Sequence, residues 1–260
     1  MNEIVSESDW LECSCLPTLI FHNYRNHLPF RFRFLLLSWT GRISKHFTPL
    51  QHLWFRQFEE WANRGGEYPR FPSVLPDCPA PRSDDSGVES SRRSLFESLR
   101  SQEILYALSY AHGLLEFNRM GMRKNRCHNV TSEMIRDNEL FLKCIDESSL
   151  ENRKSWHRES RRFLRIRNLT CGEFRDVAGN PFRPVTFDPA WRTSAVLELA
   201  QTIDRDEHYD LLPILADVLE EAGCSNIEIL NHCREPAKHV RGCWVVDLAM
   251  GVIDSLHEKQ

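Results

Sequence analysis

The chain has 260 residues and a formal net charge of −4 at pH 7, with 41% hydrophobic and 27% charged residues. This composition supports an ordinary hydrophobic core in one large or two modest domains, and the slight acidic excess argues against a surface that is basic throughout. The most apolar run, Phe34–Trp39, is far shorter than the roughly 20 residues of a membrane span, and the first ten residues lack the basic start of a secretory signal. We therefore expect a cytoplasmic protein with no membrane partner.

Composition divides the chain into three parts. Residues 1–67 are predicted to form an N-terminal helical unit, and residues 95–260 a C-terminal helical domain. Between them, residues 68–94 are rich in proline and serine, and such a segment buries too little apolar surface to offset its ordering entropy. We predict that it is a disordered linker.

In the N-terminal unit, Ser8 or Asp9 is predicted to cap a short helix that runs through Cys15. Apolar residues between positions 34 and 47 then follow a broadly helical spacing, while the alternation of Phe30, Phe32 and Phe34 also resembles a strand. Thr48 followed by Pro49 indicates the start of another helix, because threonine is a favoured N-cap and proline a favoured first residue.

In the C-terminal domain, apolar periodicity predicts one long helix or two shorter ones over residues 95–117 and a helical stretch over residues 131–145, and five further helices follow from periodicity and start signals. Ser225 with Glu228 three residues later matches a capping box, and Asp210 is a candidate cap before Pro213. The five predicted helices cover residues 151–174, 194–203, 209–223, 225–233 and 240–253. Hardly any stretch alternates at period two, so the predicted fold is all-α, an irregular multi-helix bundle.

One segment of this domain, residues 179–191, has no regular period. Its three prolines fix the backbone φ angle and favour extended geometry before them, and its aromatic side chains can press between helices. We interpret it as an extended structural strap rather than a ligand-binding loop. The strap residues are Pro181, Phe182, Pro184, Phe187, Pro189 and Trp191.

A cluster of potential metal ligands lies near the C-terminus: Cys224, His232, Cys233, His239 and Cys243. Cysteine and histidine are the ligands that zinc prefers. The intervals between them are longer than the short C-x₂₋₄-C and H-x₃₋₅-H pairs typical of structural zinc sites. The favoured interpretation is that Cys224 and Cys233 are small core residues and His239 a helix cap, as expected for nine scattered cysteines in a reducing compartment.

A stripe of basic residues is a further candidate functional site. Arg158, Arg161, Arg162 and Arg165 share one face of a predicted helix, where they can contact phosphates. A solvated face opposite acidic neighbours is the alternative, and nucleic acid is not the favoured partner.

Carboxylates also recur near the C-terminus, at Asp217, Glu220, Glu221 and Asp247. No nucleophile triad, phosphate-binding glycine loop or H-E-x-x-H motif accompanies them. We therefore interpret them as polar residues at the rim of the core, and the sequence favours a protein without enzymatic activity.

Four phrases, "GNPFRPVTFDPAW", "LLPILADVLEEAGC", "ILNHCR" and "HVRGCWVVDLAMG", resemble a large paralogous family of uncharacterised proteins from planctomycete bacteria. The N-terminal "SESDWLECSC" resembles the opening of that family, and "FRFLLLSWTGRI" resembles a family helix that is richer in cysteine. The chain departs there with Ser38, Thr40 and Gly41, which removes the basis for a cysteine-based role. The phrase "LPILADVLEEAG" also resembles a short module found beside repeat proteins in the same bacteria, and this resemblance implies a role in protein–protein interaction.

The leading hypothesis is a cytoplasmic, non-enzymatic helical module that binds a protein partner and carries no cofactor. The alternative is a protein that binds structural zinc through the C-terminal cysteines and histidines. A second alternative is nucleic-acid binding through the helix at residues 153–167.

Overall fold

The prediction of an all-α fold is confirmed by a computed structural model, in which 72% of the described residues are helical. The structure describes residues 4–13, 16–24, 29–64, 67–70, 94–99, 107, 110, 111 and 168–256. Of the predicted linker, residues 71–93 lie outside this part of the chain, as do Arg158, Arg161, Arg162 and Arg165. No helix in the described ranges combines the length and the apolar character needed to cross a bilayer.

The described helices are α1 (Glu7–Glu12), α2 (Leu16–Tyr24), α3 (Arg33–Ile43), α4 (Pro49–Arg64), α5 (residues 94–99), α6 (residues 168–178), α7 (Ser194–Asp206), α8 (Leu212–Glu221), α9 (Ile227–Arg234) and α10 (Trp244–Met250). Single 3₁₀ turns occupy Pro29–Phe32, Ser44–His46, Pro189–Trp191 and Tyr209–Leu211. Two short strands, β1 (Val185–Thr186) and β2 (Ser255–Leu256), pair in antiparallel register.

The backbone contacts divide the chain into two compact units, each built from separate segments. Unit 1 contains Met1–Cys13, Thr18–Leu35 and Cys171–Gln260, and unit 2 contains Ser14–Pro17 and Leu36–Thr170. The division by composition at residues 67 and 94 stays a prediction.

In unit 2, α4 starts where the sequence predicts. Thr48 Oγ1 accepts a hydrogen bond from the backbone N–H of Gln51, while Gln51 Oε1 accepts one from the N–H of Thr48, which completes a capping box. Trp54 and Phe58 lie on the buried face of α4. The Trp54 ring packs edge-on against Phe96 of α5, with 6.1 Å between ring centroids.

In unit 1, α7 to α10 enclose an apolar core, because each helix buries the stripe that its periodicity defines. Fully buried members of this core include Val196, Ile203, Leu215, Leu219, Ile229, Val245 and Leu248. Thr193 caps α7 by accepting from the N–H of Val196. Pro213 lies in the first turn of α8, as predicted, where its missing N–H has no helical partner to lose.

Three of the predicted helix starts are wrong by a few residues. Ser6, not Ser8 or Asp9, caps α1, and Asp9 completes a capping box from inside the helix. Asn226, not Ser225, caps α9, because its side-chain oxygen accepts from two backbone N–H groups. The side chain of Asp210 caps nothing in the structure, since it lies within a 3₁₀ turn before α8.

The proline-rich segment at residues 179–191 forms a turn, then β1, then a 3₁₀ turn. Phe187 is 1% exposed within the core of unit 1, and its ring packs edge-on against that of Trp191. Phe182 is 37% exposed, so it does not pack into the core in the same way. Asp188 caps the 3₁₀ turn that starts at Pro189, by accepting from the N–H of Ala190. The remaining strap residues, Pro181 and Pro184, lie in the turn that leads to β1.

Candidate metal centre

Four potential metal ligands converge within unit 1: Asp176, His232, His239 and Cys243. One ligand atom from each of them lies within 4.8 Å of every other. Asp176 belongs to α6 and His232 to α9. His239 lies in the irregular segment after α9, and Cys243 is the N-cap residue of α10. The cluster therefore joins three parts of one unit.

The pairwise distances describe a compact set of atoms. Oδ1 of Asp176 lies 2.7 Å from Nδ1 of His239 and 3.1 Å from Nε2 of His232. Sγ of Cys243 lies 3.2 Å from the same Nε2 of His232 and 3.9 Å from the same Nδ1 of His239. One nitrogen of each ring thus faces both the carboxylate and the thiol.

Burial sets the electrostatics of the cluster. The side chains of Asp176 and His239 are 5% and 4% exposed, and that of His232 is 17% exposed. Burial opposes the charge of Asp176, but hydrogen bonds from His232 and His239 outweigh it and lower the pKa of the carboxyl. Burial likewise opposes charge on His239, yet the hydrogen bond and negative charge of Asp176 raise the pKa of that ring.

Cys243 is fully buried, and this burial raises the pKa of its thiol well above the ordinary value, with a further contribution from the charge of Asp176. The backbone N–H groups of Val246 and Val245, in the first turn of α10, act in the opposite direction on this pKa. The partial positive charge at the start of a helix would favour a thiolate once a cation lies beside it.

The arrangement differs from that of a Cys-His-Asp catalytic triad. In a triad, the nucleophile and the orienting carboxylate occupy opposite nitrogens of the histidine. Here Asp176 and Cys243 face the same nitrogen of His232, and also the same nitrogen of His239. Atoms that converge on one central point fit an ion better than they fit a proton relay.

The structure brings together three of the five ligands that the sequence singled out and adds one that it did not. Cys224 and Cys233 are buried in the apolar core and do not belong to the cluster. Burial raises the pKa of the Cys233 thiol to about 12 and also raises that of Cys224. His232 and Cys233 are successive helical residues, so they cannot face the same point.

The carboxylates noted in the sequence have other partners. Asp217 and Glu220 accept hydrogen bonds from Arg234 on the surface, at 2.9 and 2.6 Å. Asp247 is buried, and its Oδ2 lies 3.4 Å from Nε of Arg31. Burial raises the pKa of Asp247, which the charge of Arg31 only partly opposes.

The fold and the cluster define the class of the molecule: an all-helical protein with a candidate metal centre in unit 1. Comparisons with protein-family models, with curated proteins and with solved structures gave no match to this chain. The resemblance to the planctomycete family stays a prediction.

Proposed function

We propose that the protein binds one zinc ion through Asp176, His232, His239 and Cys243, and that the ion serves as a structural cross-link in a non-enzymatic helical protein. The observation that carries this proposal is the convergence of the four ligand atoms within 4.8 Å of one another. The donor set is one sulfur, two ring nitrogens and one carboxylate oxygen, all of which zinc accepts.

The interatomic distances support a tetrahedral centre. Zinc bonds of about 2.0–2.3 Å place tetrahedral ligand atoms about 3.3–3.7 Å from one another. Four of the six separations, at 2.7, 3.1, 3.2 and 3.9 Å, lie on both sides of this range, and the other two pairs lie within 4.8 Å. Shifts of up to about 1 Å in the ligand atoms would therefore admit the ion at the common centre.

The charges balance as well. A thiolate at Cys243 and a carboxylate at Asp176 together neutralise a divalent cation, and the two imidazoles bind in their neutral form. A neutral centre is the arrangement that a buried site tolerates best, since an unpaired charge in the core is costly.

Four protein ligands favour a structural over a catalytic role, because a catalytic zinc keeps one position open for water or substrate. The ligands come from α6, from α9 and from the segment that enters α10. An ion at their centre would hold these elements together.

Metal content of the purified full-length chain tests the proposal. We expect about one zinc per chain by elemental analysis, and full reloading after chelation. Cys243→Ser should lose most of this zinc, because it removes the one ligand atom that becomes a thiolate. Cys233→Ser is the matched control: it alters an equally buried thiol outside the cluster, and it should keep its zinc.

The proposal is rejected if the wild-type chain retains no zinc and, after refolding, binds zinc with a dissociation constant above about 1 μM. Equal zinc content in the two serine variants would also reject the ligand assignment.

Binding of a protein partner, the leading hypothesis from the sequence, remains a separate proposal. The exposed large apolar side chains in the described part of the chain are Val5, Leu11, Leu53, Phe182, Ile214, Ile227 and Val252. Single exposed apolar residues are ordinary, so they select no docking surface. The nucleic-acid alternative concerns arginines outside the described residues.

A further inference from the structure

The indole of Trp244 constrains the cluster from outside. Its Nε1 donates a hydrogen bond to Nδ1 of His232 at 3.2 Å. An indole N–H can only donate, so Nδ1 must be the unprotonated nitrogen of the ring. The other nitrogen, Nε2, lies 3.1 Å from a carboxylate oxygen of Asp176, which can only accept. Together the two contacts fix the neutral His232 ring with its proton on Nε2, the nitrogen that faces the cluster.

His239 has no such constraint. Its Nδ1 faces Asp176, and its Nε2 is buried and makes no hydrogen bond with the described residues. A proton can therefore move to Nε2 of His239 without meeting another donor, and Nδ1 becomes available as a ligand atom.

We infer that Trp244 is a positioning residue that sets whether His232 can act as the fourth ligand of the metal centre. The inference rests on the proposed zinc function and identifies the residue that regulates zinc coordination by His232. An ion binds through Asp176, His239 and Cys243, and His232 completes the tetrahedron only when the indole N–H gives up its acceptor.

The change at His232 is a tautomer exchange with a balanced set of bonds. The N–H bond at Nε2 breaks, the metal–Nε2 bond forms, and a proton is placed on Nδ1 through solvent. The hydrogen bond from Trp244 to Nδ1 is then lost, because two N–H donors would face each other at 3.2 Å. His232 is the more exposed of the two histidines, which gives solvent access for this proton exchange.

Trp244→Phe removes the opposing donor and keeps an aromatic ring. We expect it to tighten zinc binding about fivefold or more, measured by chelator competition, since a lost hydrogen bond of about 1 kcal/mol corresponds to that factor. Ordinary loss of support around a metal ligand would instead weaken binding. Trp54→Phe, a buried tryptophan of unit 2, is the matched control and should leave zinc affinity unchanged.

A measurement on the wild-type chain keeps the inference testable even where the variant fails to fold. The ¹⁵N spectrum of the histidine rings should show His232 protonated on Nε2 without zinc and on Nδ1 with zinc. A zinc-loaded His232 that keeps its Nε2 proton, or a folded Trp244→Phe chain that binds zinc no tighter than wild type, overturns it. A wild-type chain that binds no zinc rejects the proposed function as well, so the two failures are distinguishable.

Discussion

Replacement of Asp176 by asparagine tests the cluster most directly, because the two side chains have the same shape. Oδ1 of Asp176 faces Nδ1 of His239 at 2.7 Å and Nε2 of His232 at 3.1 Å. Oδ2 accepts from the backbone N–H of Val240 at 2.8 Å. Every contact is to a donor, so the amide NH₂ of asparagine would face a donor in either orientation.

The expected cost follows from these contacts. The lowered pKa of Asp176, which its histidine partners maintain against burial, keeps the wild-type carboxyl ionised at neutral pH. Asp176→Asn removes this buried charge from its paired His239 ring and leaves the amide NH₂ facing at least one donor, so we expect a loss of about 3–5 kcal/mol. That is a large share of the roughly 5–15 kcal/mol that stabilises a typical protein.

Urea unfolding of the chelator-treated chain, followed by circular dichroism, measures this loss without a contribution from metal affinity. Asp217→Asn is the matched control. Asp217 is 69% exposed and pairs with Arg234 on the surface, so the same substitution there should cost less than about 1 kcal/mol. If the free energy of unfolding of Asp176→Asn lies within about 1 kcal/mol of the wild-type value, as expected for Asp217→Asn, the reasoning about the cluster is refuted.

Two further substitutions test the local structure around the site, with the free energy of unfolding as the readout. Asn226→Ala should destabilise by about 1 kcal/mol because α9 loses its cap, whereas Ser225→Ala should change little. Gly242→Ala should destabilise by about 1–3 kcal/mol, since φ is +90° and the added Cβ would lie 3.3 Å from the Arg31 carbonyl oxygen. Gly172→Ala, in open space on α6, should leave the free energy of unfolding unchanged or raise it. A control variant that is less stable than its test variant would contradict the cap assignment at Asn226 or the backbone argument at Gly242.

The helical fold could be predicted from the sequence because it depends on local spacing. Apolar residues that recur every three or four positions define the buried faces of α7 and α8, and Thr48-Pro49 marks the start of α4. The helix ends were less predictable. Ser225 and Asn226 are both good cap residues, and the choice between them depends on where the chain turns into α9, which is a tertiary property.

The candidate site could be predicted only in part, for a similar reason. His232, His239 and Cys243 are near neighbours in the chain, so a search for clustered ligands finds them. Asp176 lies far earlier in the sequence, on a different helix, and only the packing of unit 1 brings it to the cluster. The local signal is the apolar pair Val177 and Ala178 directly after Asp176, and it does not single out this residue, because the carboxylate of Glu173 one turn earlier is also buried.

The spacing rule that made the sequence signal weak applies to small zinc domains, whose ligands must come from short loops because the metal itself organises the fold. Unit 1 is built differently. Its helices bury a continuous apolar core, including Leu215, Leu219 and Leu248. Ligands held by such a core need no particular interval between them, so the long intervals at Cys243 and His239 do not argue against a metal centre. In this protein an ion would lock elements that apolar packing has already assembled.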